Sequence, residues 1–527
     1  GSTMYKSTNQ SLSMAMRQDE HLVELKLGVQ DIPYQGWSNQ RMDMTGNDSK
    51  QANLRYEGQY DWGFLEARVY HENTRHKMQF FDDKLFWYGS STGMPTADGE
   101  PCTPSGGMMG CAAGMPMDTE GVNDGVVVKA DIDLSADDLL RVGIETQQYR
   151  LDDWWDPSGK GMWPNTFWNI NNGERDRLAL FGEWESQWSS QWLTLFGVRG
   201  EQVSMNTGEV QGYNTTSADY LAESTAFNAA DRKKTDNNID LTALARYTPE
   251  DTRTIEFGYA RKTRSPNLYE RYTWSTGGMA MRMINWAGDG NGYVGNLNLE
   301  PEVAHTVSAT LDWHDAAQEK TGLKVTPYYT YVDDYIDVIR CTSTVNMNCG
   351  LANQTATDAF VYLQFDNQTA SLRGVDISGH YPLSDNTEYG SFSATGLVNY
   401  VRGKNEDTGD NLYNIMPLNA KLAVVQRVDS WANTVELELV DEKTDVSQMR
   451  NETQTSGYGL LHLRSSYEWK QVSFNMGVEN LLDRFYNDPL GGVYMGQGKT
   501  MSGTDVPWGV PVPGLGRSIY VGANLKF

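Results

Sequence analysis

Along most of the chain, apolar and polar residues alternate with a period of two. In the C-terminal segment Ile519, Val521, Ala523, Leu525 and Phe527 share one face, and Ser518, Tyr520, Gly522, Asn524 and Lys526 share the other. Val472, Phe474, Met476 and Val478 alternate with Gln471, Ser473, Asn475 and Glu479 in the same way. So do Val128, Ala130, Ile132 and Leu134 with Lys129, Asp131 and Asp133. Successive side chains of a strand point to opposite faces, so the pattern predicts half-apolar β-strands. Alternation alone suits a soluble sandwich as well as a membrane barrel.

The connections separate those two cases. Tight turns are predicted near residues 135–138, 187–190, 248–251, 383–386 and 429–431. They alternate with long segments rich in Gly, Asn and Asp, near residues 79–124, 153–174, 205–235, 264–300, 342–358, 404–413, 447–456 and 484–516. Short turns at one end and long loops at the other are the pattern of an outer-membrane barrel. The expected fold is therefore all-β, a transmembrane antiparallel up-and-down β-barrel with long extracellular loops. The pattern counts about 19 strands, from near Ser11 to Phe527. An odd count in an architecture built from even numbers predicts that the first strands are missing. With the chain leaving on the periplasmic side, the strand ending near Arg75 runs upward. His76 and Met78 then lie at the base of the long outer loop that follows.

Composition narrows the class further. Mean hydropathy is −0.57, and no run approaches the roughly 18 apolar residues of a membrane-spanning helix. The 16 Trp and 28 Tyr include Trp184, Trp188, Trp192, Tyr467 and Trp469 near strand ends, which fits interfacial aromatic girdles. A net charge of −26 across 527 residues excludes a nucleic-acid surface, which needs basic stripes against phosphate. Four cysteines fall into two close pairs, Cys102 with Cys111 and Cys341 with Cys349, read as two disulfide-closed loops in an oxidising compartment. The seven His include no His-x3-His on a helix, and no Gly-x-Ser-x-Gly elbow or phosphate-binding loop is present. An enzymatic reading therefore has no motif to rest on. The chain opens on Gly1-Ser2-Thr3 without a signal peptide, which predicts a processed or truncated chain.

Four segments resemble the barrel of a TonB-dependent outer-membrane receptor: GYARKTRSPNLYERY from Gly258, GNLNLEPEVAHTVSATLDW from Gly295, LRGVDISGHYPL from Leu372 and GVENLLDRFYNDPL from Gly477. They stand in that family's order. The stretch from Arg41 to Met78, with Met42-Asp43-Met44 followed by His76-x-Met78, resembles the copper-receptor branch. The resemblance implies a 22-stranded barrel in the outer membrane of a Gram-negative bacterium, surrounded by outer-membrane lipid and driven by a TonB-type energy-coupling protein. It also implies an N-terminal plug and a coupling box, so residues 1–527 are expected to be the barrel portion only. The family's Cys-x3-Met arm is expected to come from the plug, leaving half of a copper site in this chain.

The residue chemistry agrees in kind. Thioethers favour Cu(I), and imidazole binds copper in either oxidation state. A His and a Met two apart on an extended strand project to the same side; spacing alone fits an ordinary strand end with a gap-filling Met, and it is the resemblance that makes His76 and Met78 the principal metal candidates. Met108, Met109, Met115 and Met117 in one loop and Met279, Met281 and Met283 in another are expected either to collect a soft ion or to pack against an absent or partner domain, because methionines in Gly-rich polar loops have little core to fill. Cys111 and Met115 match Cys-x3-Met, but a disulfide to Cys102 removes the thiolate. The cargo that the resemblance implies is copper, as an ion or a small complex. The alternatives are an iron chelate or another organic ligand held by Trp154, Trp155, Trp163 and Trp168, or an open diffusion porin.

Overall fold

The computed structural model describes residues 3–82, 84–85, 87–89, 101–215, 218–495 and 507–526, with the backbone alone at 218, 219 and 386. Phe527, expected to close the last strand, lies outside the described residues, as do Gly1 and Ser2. The strands in chain order are β1 (Tyr5–Gln18), β2 (His21–Gln35), β3 (Asp43–Tyr60), β4 (Gly63–Gln79), β5 (Trp87–Tyr88), β6 (Ala112–Ala113), β7 (Met117–Asp133), β8 (Asp138–Trp155), β9 (Phe167–Gln187), β10 (Trp192–Asn206) and β11 (Lys234–Glu250). They continue as β12 (Arg253–Arg264), β13 (Gly292–Val294), β14 (Glu302–His314), β15 (Gly322–Arg340), β16 (Tyr362–Thr387), β17 (Gly390–Asn405), β18 (Asn419–Val428), β19 (Trp431–Val440), β20 (Tyr458–Trp469), β21 (Val472–Glu479) and β22 (Ser518–Leu525). Short helices α1 (Ala218–Ala229), α2 (Leu268–Tyr272), α3 (Gly278–Met283) and α4 (Leu351–Thr355) lie in the long loops.

One sheet holds 20 of these strands. Nineteen pair antiparallel with their neighbours in sequence, as the alternation predicts, and β13 adds a short parallel pairing to β16. The pair β5–β6 stands apart inside a loop. Among the described residues β1 pairs with β2 alone and β22 with β21 alone. Tight turns join β1 to β2, β3 to β4, β7 to β8 and so on at one end, and the long loops all lie at the other. Asp19 and Asp429 take positive φ (51° and 50°) in two of these turns, a conformation that Asp tolerates better than most residues. One turn falls later than predicted. β16 runs on past Pro382, with register shifts between Pro382 and Thr387, and reverses just before Gly390 at φ 86°, where a Cβ would meet the Arg427 carbonyl.

The outer face is apolar through its middle: Val69, Val126, Ile144, Leu180, Val198, Leu241, Phe257 and Val307 are all exposed. The inner face is polar. Arg177 pairs with Glu201 at 2.6 Å, Arg199 with Glu145 at 2.5 Å, and Arg464 with Glu479 at 2.9 Å. Lipid outside and polar contacts inside give each strand its two-sided sequence. At the short-turn end, ring pairs Trp184–Trp188 (5.8 Å), Trp192–Tyr247 (4.5 Å) and Trp431–Tyr467 (4.7 Å) form the expected girdle. No helix among the described residues is long and apolar enough to cross a membrane.

At the other end the long loops pack into a core of their own, with Phe167, Tyr213, Leu268, Tyr272, Met115 and Leu363 buried together. Polar ties hold it. Glu223 on α1 accepts from Ser275 and from Asn346, both at 3.0 Å, joining three loops. Arg450 pairs with Asp337 at 2.5 Å, and Arg271 with Asp236 at 3.3 Å.

Candidate functional site

On β4 the outward side chains change character along the strand. Leu65, Ala67 and Val69 are apolar; His71, Asn73, Arg75 and Lys77 follow. His71 bonds Asp124 at 2.7 Å, and Arg75 and Lys77 approach Asp118 at 3.3 and 3.5 Å. The apolar band therefore ends near Val69. At roughly 3.3 Å per residue, residue 76 stands well above it, outside the membrane-spanning part of the strand. His71 and His76 fall on opposite faces, as their spacing requires.

The inward side chains at this height form rows across neighbouring strands. Met44 on β3 is in register with Met78 on β4, and Met78 with Met117 on β7. One step lower, Asn47, His76 and Thr119 are in register; below them Thr74 faces Gly121 and Gly121 faces Leu151. Registered residues of an antiparallel pair point to one side, so three thioethers and one imidazole share a face. The Met42-Asp43-Met44 stretch is fixed from behind. Asp43 turns away from its methionine neighbours to a fully buried ion pair with Lys84 at 2.7 Å, and also accepts from the Trp37 amide at 2.8 Å.

In front of these rows lies a cavity of about 460 Å³. His76, Met78, Met117 and Thr119 form one wall, and Met283 and Trp286 from the loop carrying α3 form the opposite one. Trp37 and Tyr269 line its sides. Gly121 helps to form the floor; a Cβ there would stand 3.0 Å from the Tyr149 hydroxyl, so a larger residue would displace that ring. His76 Nδ1 lies 3.2 Å from Asn47 Oδ1, which orients the imidazole and leaves Nε2 for a ligand. Burial lowers the His76 pKa, favouring the neutral, ligating form. Among the described residues no group of three His, Cys, Asp or Glu converges on one point; sulfur is what distinguishes this cavity.

The remaining candidates are dispersed. Met115 is fully buried in the loop core, and Met281 is buried against the Cys341–Cys349 disulfide, its Sδ 3.9 Å from Cys349 Sγ. The expectation that loop methionines have little core to fill fails at these two positions, because the loops build a core themselves. Met279, Met281 and Met283 lie on helix α3 rather than on an extended segment, so the alternate positions turn to different surroundings. Met279 packs at the edge of the core, and Met283 reaches the cavity. Met108 and Met109 stand exposed at the tip of the loop closed by Cys102 and Cys111. Both predicted disulfides are present.

The four tryptophans do not share a surface. Trp155 is fully buried, stacked on Phe167 at 4.2 Å. Trp154 tilts toward Trp168 at 5.9 Å and carries the Arg75 guanidinium 5.7 Å above its ring. Trp163 is partly exposed elsewhere in the loop. The sequence reading missed Trp37, Tyr269 and Trp286, whose approach to His76 depends on how distant loops fold inward. It passed over Thr119 as an individual site residue, although strand register identifies it once β4 and β7 are aligned.

Residues 6–481 match the family model described as TonB dependent receptor-like, beta-barrel. Among solved structures, the copper transporter OprC superimposes with a TM-score of 0.77 at 16% identity, over 100% of this chain and 72% of that one. The ferric yersiniabactin uptake receptor FyuA from Yersinia pestis gives 0.65 at 12% identity, over 99% and 71%. At such identities the likeness is one of fold. A curated relative, the heme/hemopexin utilization protein C of Haemophilus influenzae (strain ATCC 51907 / DSM 11121 / KW20 / Rd), is 25% identical over 245 residues, 43% of this chain. The matched part spans about a third (32%) of that relative's length.

Proposed function

The chain belongs to the TonB-dependent receptor-like β-barrel family, and on that premise we propose that it is the barrel of an outer-membrane receptor that imports copper, as an ion or a small complex. The observation that carries this reading is the convergence of His76, Met78, Met117 and Met283 on one cavity above the apolar band. One neutral imidazole and several thioethers form a soft, uncharged donor set that suits Cu(I) better than hard cations. His76 and Met78 are the principal barrel ligands, Met117 extends the sulfur wall and Met283 closes it from the loop side. Exposed Met108 and Met109 give an incoming soft ion its first contacts. Active uptake draws on a TonB-type coupling protein and the inner-membrane proton gradient, because the barrel holds no energy source of its own.

The test is metal analysis of the full-length protein purified from outer membranes after growth with copper. Copper is expected to co-purify with the wild type and to be lost from a His76→Ala plus Met78→Ala variant. Equal copper in both would remove the site.

One observation favours a second cargo. A cavity of about 460 Å³ has far more room than a bare ion needs, and Trp37, Tyr149, Tyr269 and Trp286 give it aromatic walls. A metal chelate with an organic shell is the alternative ligand. Retention of an iron chelate or haem by the same purified protein, with no copper, would favour it.

A further inference from the structure

The row through His76 extends one strand beyond the cavity wall. His76 is in register with Thr119, and Thr119 with Asp153 on β8, so all three point inward at one height above the apolar band. Asp153 is fully buried. One carboxylate oxygen accepts from Trp155 Nε1 at 3.1 Å and the other from Asn169 Nδ2 at 2.7 Å. The Tyr269 hydroxyl interacts with both the Asp153 carboxylate and the Thr119 hydroxyl, and Tyr269 and Thr119 both line the cavity. No ion pair to Asp153 is formed among the described residues. The nearby Arg75 faces outward, over Trp154.

A buried carboxylate held only by neutral donors lacks a counter-charge, which makes its ionised form costly. Burial raises the Asp153 pKa to about 7. The titratable groups around it are His76 on β4, Tyr149 on β8, Tyr213 in the loop after β10 and Tyr269 on α2. At neutral pH the phenols carry no charge, and none of these groups supplies the missing cation.

We infer that Asp153 is the counter-charge of the cavity. A cation held at His76 and Met78 is balanced by the Asp153 carboxylate, with the Tyr269 hydroxyl between them. This rests on the reading of the cavity as a soft-cation site and adds the residue that gives it charge preference: the donors that touch the ion are neutral, and selection against anionic ligands comes from one carboxylate behind them. As the cation enters, the Asp153 O–H bond breaks, its electron pair stays on oxygen and the proton leaves to solvent. Strands lie about 4.8 Å apart, which puts Asp153 roughly 10 Å from His76 across two strand spacings. At that separation one counter-charge changes affinity on the order of tenfold.

The test uses Ag(I), a soft monovalent ion of fixed oxidation state, titrated calorimetrically into the full-length protein at pH 7 in two buffers of different ionisation enthalpy. Wild type is expected to bind with release of a fraction of a proton. Asp153→Asn is expected to bind on the order of tenfold more weakly and without that release. Its neighbour Asn169 can turn its amide to keep a hydrogen bond. Tyr269→Phe, which keeps the carboxylate and removes only the hydroxyl, covers the case in which Asp153→Asn does not fold, and should weaken binding while retaining proton release. Wild-type affinity and proton release in Asp153→Asn would overturn the inference while leaving the site intact. If Asp153→Asn is not recovered folded, unchanged affinity in Tyr269→Phe overturns it instead. Undiminished binding in the His76→Ala plus Met78→Ala variant would overturn the reading of the cavity itself, and the inference with it.

Discussion

Met78 and Met117 face each other across the β4–β7 pair, and both line the cavity that holds His76. Two thioethers in register on adjacent strands can reach one ion without loop movement. Met78→Leu and Met117→Leu should therefore each lower soft-ion affinity, by roughly tenfold if a thioether contributes as much as one good hydrogen bond to a charged group. The barrel should tolerate them, because volume-conserving apolar swaps cost less than about 1.5 kcal/mol. Competition with a calibrated Cu(I) chelator checks the first point, and thermal unfolding the second.

His76 makes a pH-dependent contribution whose sign follows from its lowered pKa. Above the unfolded value of about 6.5 neither state binds a proton at this ring. As the pH falls through that value toward the depressed folded one, the unfolded chain takes up a proton first, so stability is lost. Compared with His76→Gln, the wild type should lose melting temperature between pH 7.5 and 5.5. An unchanged difference between the two proteins at both pH values would contradict this.

The Asp43–Lys84 pair is fully buried and ties the entry to β3 to the segment after β4. Removing one member of a buried pair leaves the other charge uncompensated, typically at a cost of about 3–5 kcal/mol. Lys84→Ala should open residues 36–43 to limited proteolysis and weaken ion binding through displacement of Trp37 and Gln40, which line the cavity. A wild-type digestion pattern would show that the pair does not hold this segment.

The Cys341–Cys349 disulfide closes a short loop, with a sequence separation of 8. Chain-entropy arguments give about 2.5 kcal/mol for a crosslink of that span. Replacing both cysteines with Ser should loosen the loop and uncover Met281, now fully buried beside the bridge. Peptide mapping after mild peroxide treatment checks this: Met347, 94% exposed, should oxidise in both proteins, and Met281 only in the variant.

The strands were legible because a lipid-facing barrel imposes a two-residue period on every strand, and the alternation of short and long connections orients them. That was enough to put His76 and Met78 on one side of a strand at the base of an outer loop and to pair the cysteines; that this side is the inner one comes from the structure. Inside the long loops no period operates. Helix α3, the buried Met281 and the inward approach of Tyr269 and Trp286 come from contacts between segments far apart in sequence, such as Glu223 with Ser275 and Asn346. Asp153 reads as one more acidic residue in Asp-Asp-Trp-Trp; its isolation from bases appears only after folding. The late reversal of β16 shows the local limit: Pro382 resembles a turn residue, yet the strand absorbs it through shifts in register.

The sulfur row also bears on how such receptors diverge. Met44, Met78 and Met117 sit on three separate strands whose backbone pairing does not depend on the side chain at that row. A single codon change can exchange one thioether while the other two keep their places, so on the proposed reading preference for a soft ion can shift by small steps while the strands stay paired.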